Sequence, residues 1–289
     1  MSALLQALAT GTLIGGLYAL VGVGLSMIFG IMKLTNLAHS DIMVMSAFFT
    51  VYITRQFIAS PVLALLITII IMLPIGILIQ KFLINKVIDQ GTNAPLLVTF
   101  GLSVAIQNGL QIIFGSGAHG IDTELLRLNL ISTPIIVSAQ YVINFIVAVV
   151  VIGGLALIMN KTSLGRAVRA SSSNTKAAEL MGVNTKRMYI YAMCLTMIVT
   201  SIAGMILSSS FVLFHYSGSQ YLIIAFGVVV IGGMGSIIGT LIGGIIMGLA
   251  QLVGGYIFGN IYQLHCGFVA LLIVLASRPQ GLFSKAVRK

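Results

Sequence analysis

Apolar runs of membrane-spanning length follow one another along almost the whole chain, and they constrain the fold more than any motif does. They lie near Leu4 to Ile31, Asp41 to Tyr52, Val62 to Gln80, Ala94 to Phe114, Ile135 to Met159, Tyr189 to Phe211, Tyr221 to Ile231, Ile237 to Phe258 and Ile261 to Ala276. Helical spans need about 17–25 apolar residues, whereas the strands of a membrane barrel alternate over about 10. A chain that is 58% hydrophobic and 7% charged has lipid as its only matching solvent. The expected fold is all-α: a polytopic transmembrane helical bundle of roughly eight to ten segments, forming a single transmembrane domain over residues 1–289. The first run has no positive residues before it and continues to Ile31, so it reads as a retained span rather than a cleaved signal.

The cations sit in short loops between the runs. Lys161, Arg166, Arg169, Lys176, Lys186 and Arg187 stand against the single acid Glu179, which places that loop in the cytoplasm by the positive-inside rule. The tail with Arg278 and Lys285 to Lys289 belongs on the same side. Asp122 and Glu124 against Arg127 leave the loop after Phe114 outside. Counting back keeps Lys81 and Lys86 cytoplasmic and gives an external N-terminus, unless an early segment is re-entrant. The net charge of +10 is therefore membrane topology; the basic residues do not interleave with aromatics on a soluble face, and no nucleic acid is expected.

Two stretches interrupt the helical pattern where membrane depth is expected: Lys33 to Asp41 (KLTNLAHSD) and Gly232 to Thr240 (GGMGSIIGT). Irregular backbone is tolerated there when it is buried in protein or lines a watery cavity, so the pair hints at a transport pathway and a pseudo-repeat. Short surface loops with turn glycines explain them equally well. Gly11 and Gly15, Gly235, Gly239 and Gly243, and Gly244 and Gly248 stand four apart, which puts bare backbone on one helix face for a neighbour to approach.

Residues for bond chemistry are sparse. His39, His119, His215 and His265 have no ligand partner three or four residues away, so no metal site is expected. Ser236 lacks a nucleophile elbow, and GGMGSIIG has no lysine after its glycines to hold a phosphate. Cys194 and Cys266 lie inside apolar runs and read as small buried thiols. No catalytic residue and no cofactor is assigned. Asp41 with His39 is the one pair that a stand-alone ion-coupled carrier would use, although Asp41 equally suits a helix start. Gln107 and Gln111 share a face and serve either a pathway or interhelical hydrogen bonding.

The remaining polar stretch is SLGRAVRASSSNTKAAELMGVN, Ser163 to Asn184. Arg166 and Arg169 share a helical face, and a second helix-forming piece closes at Gly182. A short cytoplasmic helix presenting Ala177, Ala178 and Met181 suits a partner's groove; a solvated loop that only fixes topology is the alternative.

SLGRAVRA followed by AAELMGVN resembles the coupling loop of ABC-importer permeases for branched-chain amino acids, of the LivH type. Three further stretches agree in order: Gly16 to His39, Val228 to Gly244 and Arg278 to Phe283 (RPQGLF). The family usually has Gly at Ser40 and Pro at Thr175 and Ile238. The resemblance implies a non-catalytic subunit of the bacterial inner (cytoplasmic) membrane that pairs with a second related permease. Two ABC ATPase subunits bind the ATP, and an extracytoplasmic solute-binding protein delivers the amino acid. It implies that Ala177, Ala178, Met181 and Gly182 meet the ATPase while Arg166 and Arg169 orient the loop. Transient solute contacts are then expected from Thr35, Asn36 and His39, with Ser236 second. Relatives of the same architecture import urea or short amides.

Overall fold

The computed structural model describes residues 2–91, 93–122, 128–131 and 136–283. Glu124, Arg127, Ile135 and the basic tail Lys285 to Lys289 lie outside them. Helices α1 (Ser2–Met32), α2 (His39–Gln56), α3 (Pro61–Leu78), α4 (Asn85–Val87), α5 (Asn93–Phe114), α6 (Ala139–Lys161), α7 (Ser163–Ser173), α8 (Thr175–Leu180), α9 (Thr185–Ser210), α10 (Ser217–Gly232), α11 (Ile237–Phe258) and α12 (Gln263–Ser277) follow in order. A two-residue-wide antiparallel hairpin, β1 (Asn129–Ile131) and β2 (Val137–Ser138), precedes α6. Among the described residues seven helical stretches are long and apolar enough to cross a membrane unaided. The other two expected segments are α2, which is polar, and α10, which has 16 residues.

Local chemistry sets the helix ends. Ser60 precedes Pro61 at the first position of α3, where proline's missing N–H costs nothing. Beyond Pro74 the helix widens into π turns over Ile79–Ile84 before α4, a local rearrangement of the i→i−4 ladder. Lys33 ends α1 with φ +52, a left-handed turn on a non-glycine residue. Asn36 then accepts from the Ala38 N–H at 3.1 Å through Oδ1 and opens α2.

The residues fall into two compact units. One comprises Met1–Val23, Asp122–Gly153 and Ile223–Lys289; the other comprises Gly24–Ile121 and Gly154–Leu222. In the first unit the expected glycine packing is present: a side chain on Gly15 would meet Ile245 Cα at 2.5 Å and the Gly244 carbonyl at 2.8 Å, and Gly11 stands against Gly248. Backbones at that separation gain dispersion contacts that lipid cannot offer. In the second unit α9 is the central element, packed on α2 and α3. By contrast α12 of the first unit packs on α11 along one face, where Gly267 is buried, and leaves the rest of its apolar surface to lipid.

Loops fix which end of each helix is which. In the second unit the loop after α5 is stitched to the end of α9: His119 and Leu213 exchange backbone hydrogen bonds at 2.8 Å, and Ile121 N–H reaches the Ser208 carbonyl at 2.8 Å. Phe48, Phe114 and His119 form an aromatic cluster beneath it, so His119 is a packing residue. In the first unit Gln6 donates to the Ile136 carbonyl and accepts from the Ile136 N–H at 2.7 Å. Ile136 belongs to the connection before α6, so the start of α1 lies at the same end of the bundle as the start of α6.

Candidate functional site

The two interruptions in the helical pattern prove unlike each other. The first is deep. Leu37 N–H reaches Thr99 Oγ1 at 3.3 Å, and Thr99 stands six residues into α5, about 9 Å from its cytoplasmic end at 1.5 Å per residue. Asp41, one turn further, takes hydrogen bonds from Ser103 Oγ (to Oδ2, 2.6 Å) and Gln107 Nε2 (to Oδ1, 3.0 Å). Gln107 also reaches Ser219 Oγ at 3.0 Å. A carboxylate with three helices around it thus sits midway along α5. Gly218, in the first turn of α10, passes so close to Asp41 that no side chain fits there, so α10 starts at the depth of Asp41. Gln107 is therefore interhelical glue; Asn108 instead bonds the Val104 carbonyl of its own helix at 2.8 Å.

Around this network the expected solute residues Asn36 and His39 are 0% and 1% exposed, and Thr35 is half-buried. His39 lies against Gly24 and close to Thr196, where a Cβ on Gly24 would meet its Cε1 at 2.6 Å. Among the described residues Asn36 Nδ2 and Ser40 Oγ have no hydrogen-bond partner, an uncommon condition for buried donors.

The second interruption is a turn at the cytoplasmic end. Gly233 and Gly235 take φ of +100 and +85, and Ser236 caps α11 by accepting from the Gly239 N–H at 3.1 Å. That capping role occupies the hydroxyl expected on the pathway, and Ser236 belongs to the other compact unit from Thr35, Asn36 and His39. The segment after α12 folds onto the turn: Leu282 N–H bonds the Ile231 carbonyl at 3.0 Å and Phe283 N–H the Gly232 carbonyl at 3.1 Å. Two of the ordered motifs, Val228 to Gly244 and Arg278 to Phe283, are therefore two sides of one junction.

The basic loop forms two helices. Thr162 caps α7 by accepting from the Gly165 N–H at 3.0 Å, and Asn174 caps α8 by accepting from the Ala177 N–H at 3.0 Å. Gly182, at φ +84, ends α8; its N–H reaches Glu179 O at 2.9 Å and the Val183 N–H reaches Ala178 O at 3.0 Å, a glycine C-cap. Thr185 Oγ1 donates to Glu179 Oε1 at 2.6 Å and ties α8 to α9.

This packing divides the residues expected to meet a partner into exposed and buried ones. Ala178 is 5% exposed and turned into the chain's own body, whereas Ala177 is exposed. The apolar residues that project are Leu180 at 89% and Met181 at 84% exposure. Ala177, Leu180 and Met181 are spaced i, i+3, i+4, a helical stripe that contains the expected Met181 and adds Leu180. Arg166 is exposed and Arg169 half-buried, its Nη1 3.5 Å from Asn160 Oδ1. Thr175 and Ile238, where the family usually has proline, fall in the first turns of α8 and α11, positions at which proline and other residues are interchangeable.

A family model described as "Branched-chain amino acid transport system / permease component" matches residues 7–277. The high-affinity branched-chain amino acid transport system permease protein BraD of Pseudomonas aeruginosa is 27% identical, over 97% of this chain and 96% of its own length. The corresponding LivH protein of Escherichia coli is 26% identical over the same shares. A probable LivH permease of Methanocaldococcus jannaschii is 25% identical over 92% of this chain and 88% of its own. No solved structure matches. The apolar helices and these full-length likenesses make this a multi-pass protein of the inner membrane, and the chain belongs to the family of branched-chain amino acid transport system permease components.

Proposed function

We propose that this chain is one of two permease subunits of an ATP-driven importer for branched-chain amino acids. In this reading α8 docks in a cytoplasmic ATPase, which binds and hydrolyses the ATP, and an external binding protein delivers the solute. The observation that carries it is the pair Leu180 and Met181, almost fully exposed on a six-residue helix held between two capped helices. Apolar side chains projected into the cytoplasm from a braced helix suit a partner's groove. Movement of α8 passes to α9 through the Thr185–Glu179 hydrogen bond, and α9 packs on α2 and α3, which gives the partner a lever on the buried segment at Asn36.

Within that reading the solute passes the α1–α2 interruption. The partnerless Asn36 Nδ2 is a donor suited to an amino acid carboxylate, and the apolar surroundings suit its side chain. Thr35 and His39 are the flanking contacts. The chain itself changes no bond.

The test is purification from the native membrane in mild detergent with mass spectrometry of bound proteins, followed by leucine uptake in vesicles with ATP inside. Recovery of ATPase subunits and a second permease, with uptake lost in Leu180→Asp, supports the reading. Solute movement by the isolated chain without ATP overturns it in favour of a stand-alone carrier.

A further inference from the structure

A cavity of about 590 Å³ opens where α3 runs out through its π turns into α4 and where α9 begins. Lys81, Lys86, Lys186 and Arg187 line it together with Ile77 and Ile190, and among the described residues no carboxylate lines it. The positive-inside rule asks for cations on this face, but not that four of them, from helices some hundred residues apart in sequence, converge on one hollow without a counter-charge. Lys186 and Arg187 also occupy the first turn of α9, which holds no acid. Cations there oppose the partial positive charge of the helix start, so this place in the fold is short of an anion twice over.

The setting identifies the anion's carrier. Ile77, Leu78 and Phe82 are exposed on the outer surface of α3 and its continuation, and Lys81 Nζ stands 5.4 Å over the Phe82 ring. Such a lysine marks the edge of the hydrocarbon layer, its stem among apolar groups and its head toward water. In the reading proposed above a soluble partner meets α8, whereas this hollow includes Ile77 and Ile190 in its lining and lies beside the exposed Leu78 and Phe82. We propose that the cavity binds the headgroup phosphate of an anionic phospholipid of the cytoplasmic leaflet, with one acyl chain lying along Ile77 and Ile190. Basic hollows between helices on this side of a membrane suit such headgroups.

The test is native mass spectrometry of the full-length chain, with whatever subunits stay bound, titrated with phosphatidylglycerol or with phosphatidylcholine of the same acyl chains. The expected result is retention of phosphatidylglycerol in preference to phosphatidylcholine. That preference falls at least about tenfold in Lys186→Gln/Arg187→Gln and stays intact in the charge-matched control Lys161→Gln/Lys176→Gln. Lys81→Arg with Lys186→Arg keeps the preference, which separates loss of charge from loss of fold. Equal losses in the paired and control variants overturn the proposal. So does full displacement of the lipid by inorganic phosphate, which makes the hollow a free-anion site. Unchanged lipid retention with loss of bound ATPase overturns it as well and gives the surface to the protein partner.

Discussion

Ser103 Oγ donates to Asp41 Oδ2 at 2.6 Å while Gln107 fills the other carboxylate oxygen, so a single acid holds α2 to α5 at mid-depth. Asp41→Ala leaves the Ser103 hydroxyl without its acceptor, while Gln107 keeps its bonds to the Ser103 and Ser219 hydroxyls. The expected loss is about 1–2 kcal/mol of stability, since a stranded buried donor costs more than an average hydrogen bond contributes. Asp41→Asn retains an acceptor and should lose less. Thermal unfolding in detergent orders the three proteins; an Asp41→Ala midpoint equal to that of the unaltered chain would contradict the latch. Uptake by Asp41→Asn adds a functional reading: ATP-dependent transport that survives it excludes an ion-coupled carrier built on Asp41.

Gly218 is predicted to be intolerant for a different reason. A methyl group there collides with Asp41 Oδ1 and Cγ, so Gly218→Ala must push α10 away from α2 or break the latch. Gly109, also in a helix of the second unit, has nothing within 4 Å of an added Cβ, and Gly109→Ala should be neutral or slightly stabilising. Expression level and unfolding midpoint of the two variants check this; equal behaviour would show that the close approach at Gly218 does not matter.

The proposed docking helix α8 carries residues that project, Leu180 and Met181, and one that packs, Ala178. Leu180→Asp and Met181→Asp are expected to insert normally, unfold at the temperature of the unaltered chain, and lose ATPase binding by at least about tenfold, the scale of one apolar anchor. Ala178→Asp puts a charge into a buried position and should lower the unfolding midpoint whether or not an ATPase is present. Co-purification measured beside thermal stability distinguishes the two classes of effect.

Much of this was legible from residue order, and the limits are physical. Span positions followed from apolar run length because a helix that crosses lipid unaided needs about 17–25 apolar residues. The α8 face did not follow so directly: Ala177, Ala178 and Met181 also fit a helical stripe, and only the contacts of α8 with α7 and α9 turn Ala178 inward. The spacing of Ala177, Leu180 and Met181 is the one that matches the exposed stripe. Asp41 and Gln107 stood out separately as polar residues in apolar runs, but their pairing across 66 positions depends on the registration of two helices. The interruptions at Lys33 and Gly232 looked alike because both break a pattern; one is buried beside Thr99 and the other is clipped by Leu282 and Phe283, and neither partner is nearby in sequence.

That clip makes Gly281 the weak point of the cytoplasmic junction in the first unit. Its φ of +83 disfavours any side chain, and a Cβ would stand 2.6 Å from the Gly233 nitrogen. Gly281→Ala should cost at least about 1 kcal/mol from the backbone alone. Protease sensitivity of the tail in inside-out vesicles should rise with it, because Leu282 and Phe283 lose their hold on the Ile231 and Gly232 carbonyls. A tail as resistant as in the unaltered chain would mean that the junction holds without the glycine.

The side of the N-terminus offers the sharpest topological test. Gln6 and Ile136 are joined through both the side-chain amide and the backbone, so the start of α1 lies at the end of the bundle where α6 begins. From there α6 runs to Lys161, whose loop carries six cations and a single acid and is held on the cytoplasmic side by them. Because 23 residues of helix separate Ala139 from Lys161, about 34 Å at 1.5 Å per residue, α6 crosses the whole hydrocarbon layer. The N-terminal end of α1 must then be external. In a chain with Cys194→Ser and Cys266→Ser, Leu4→Cys should react with a membrane-impermeant maleimide added to intact cells. Lys161→Cys should react only after the membrane is opened. Labelling of Lys161→Cys from outside would invert the arrangement, and with it the assignment of α8 to the cytoplasm.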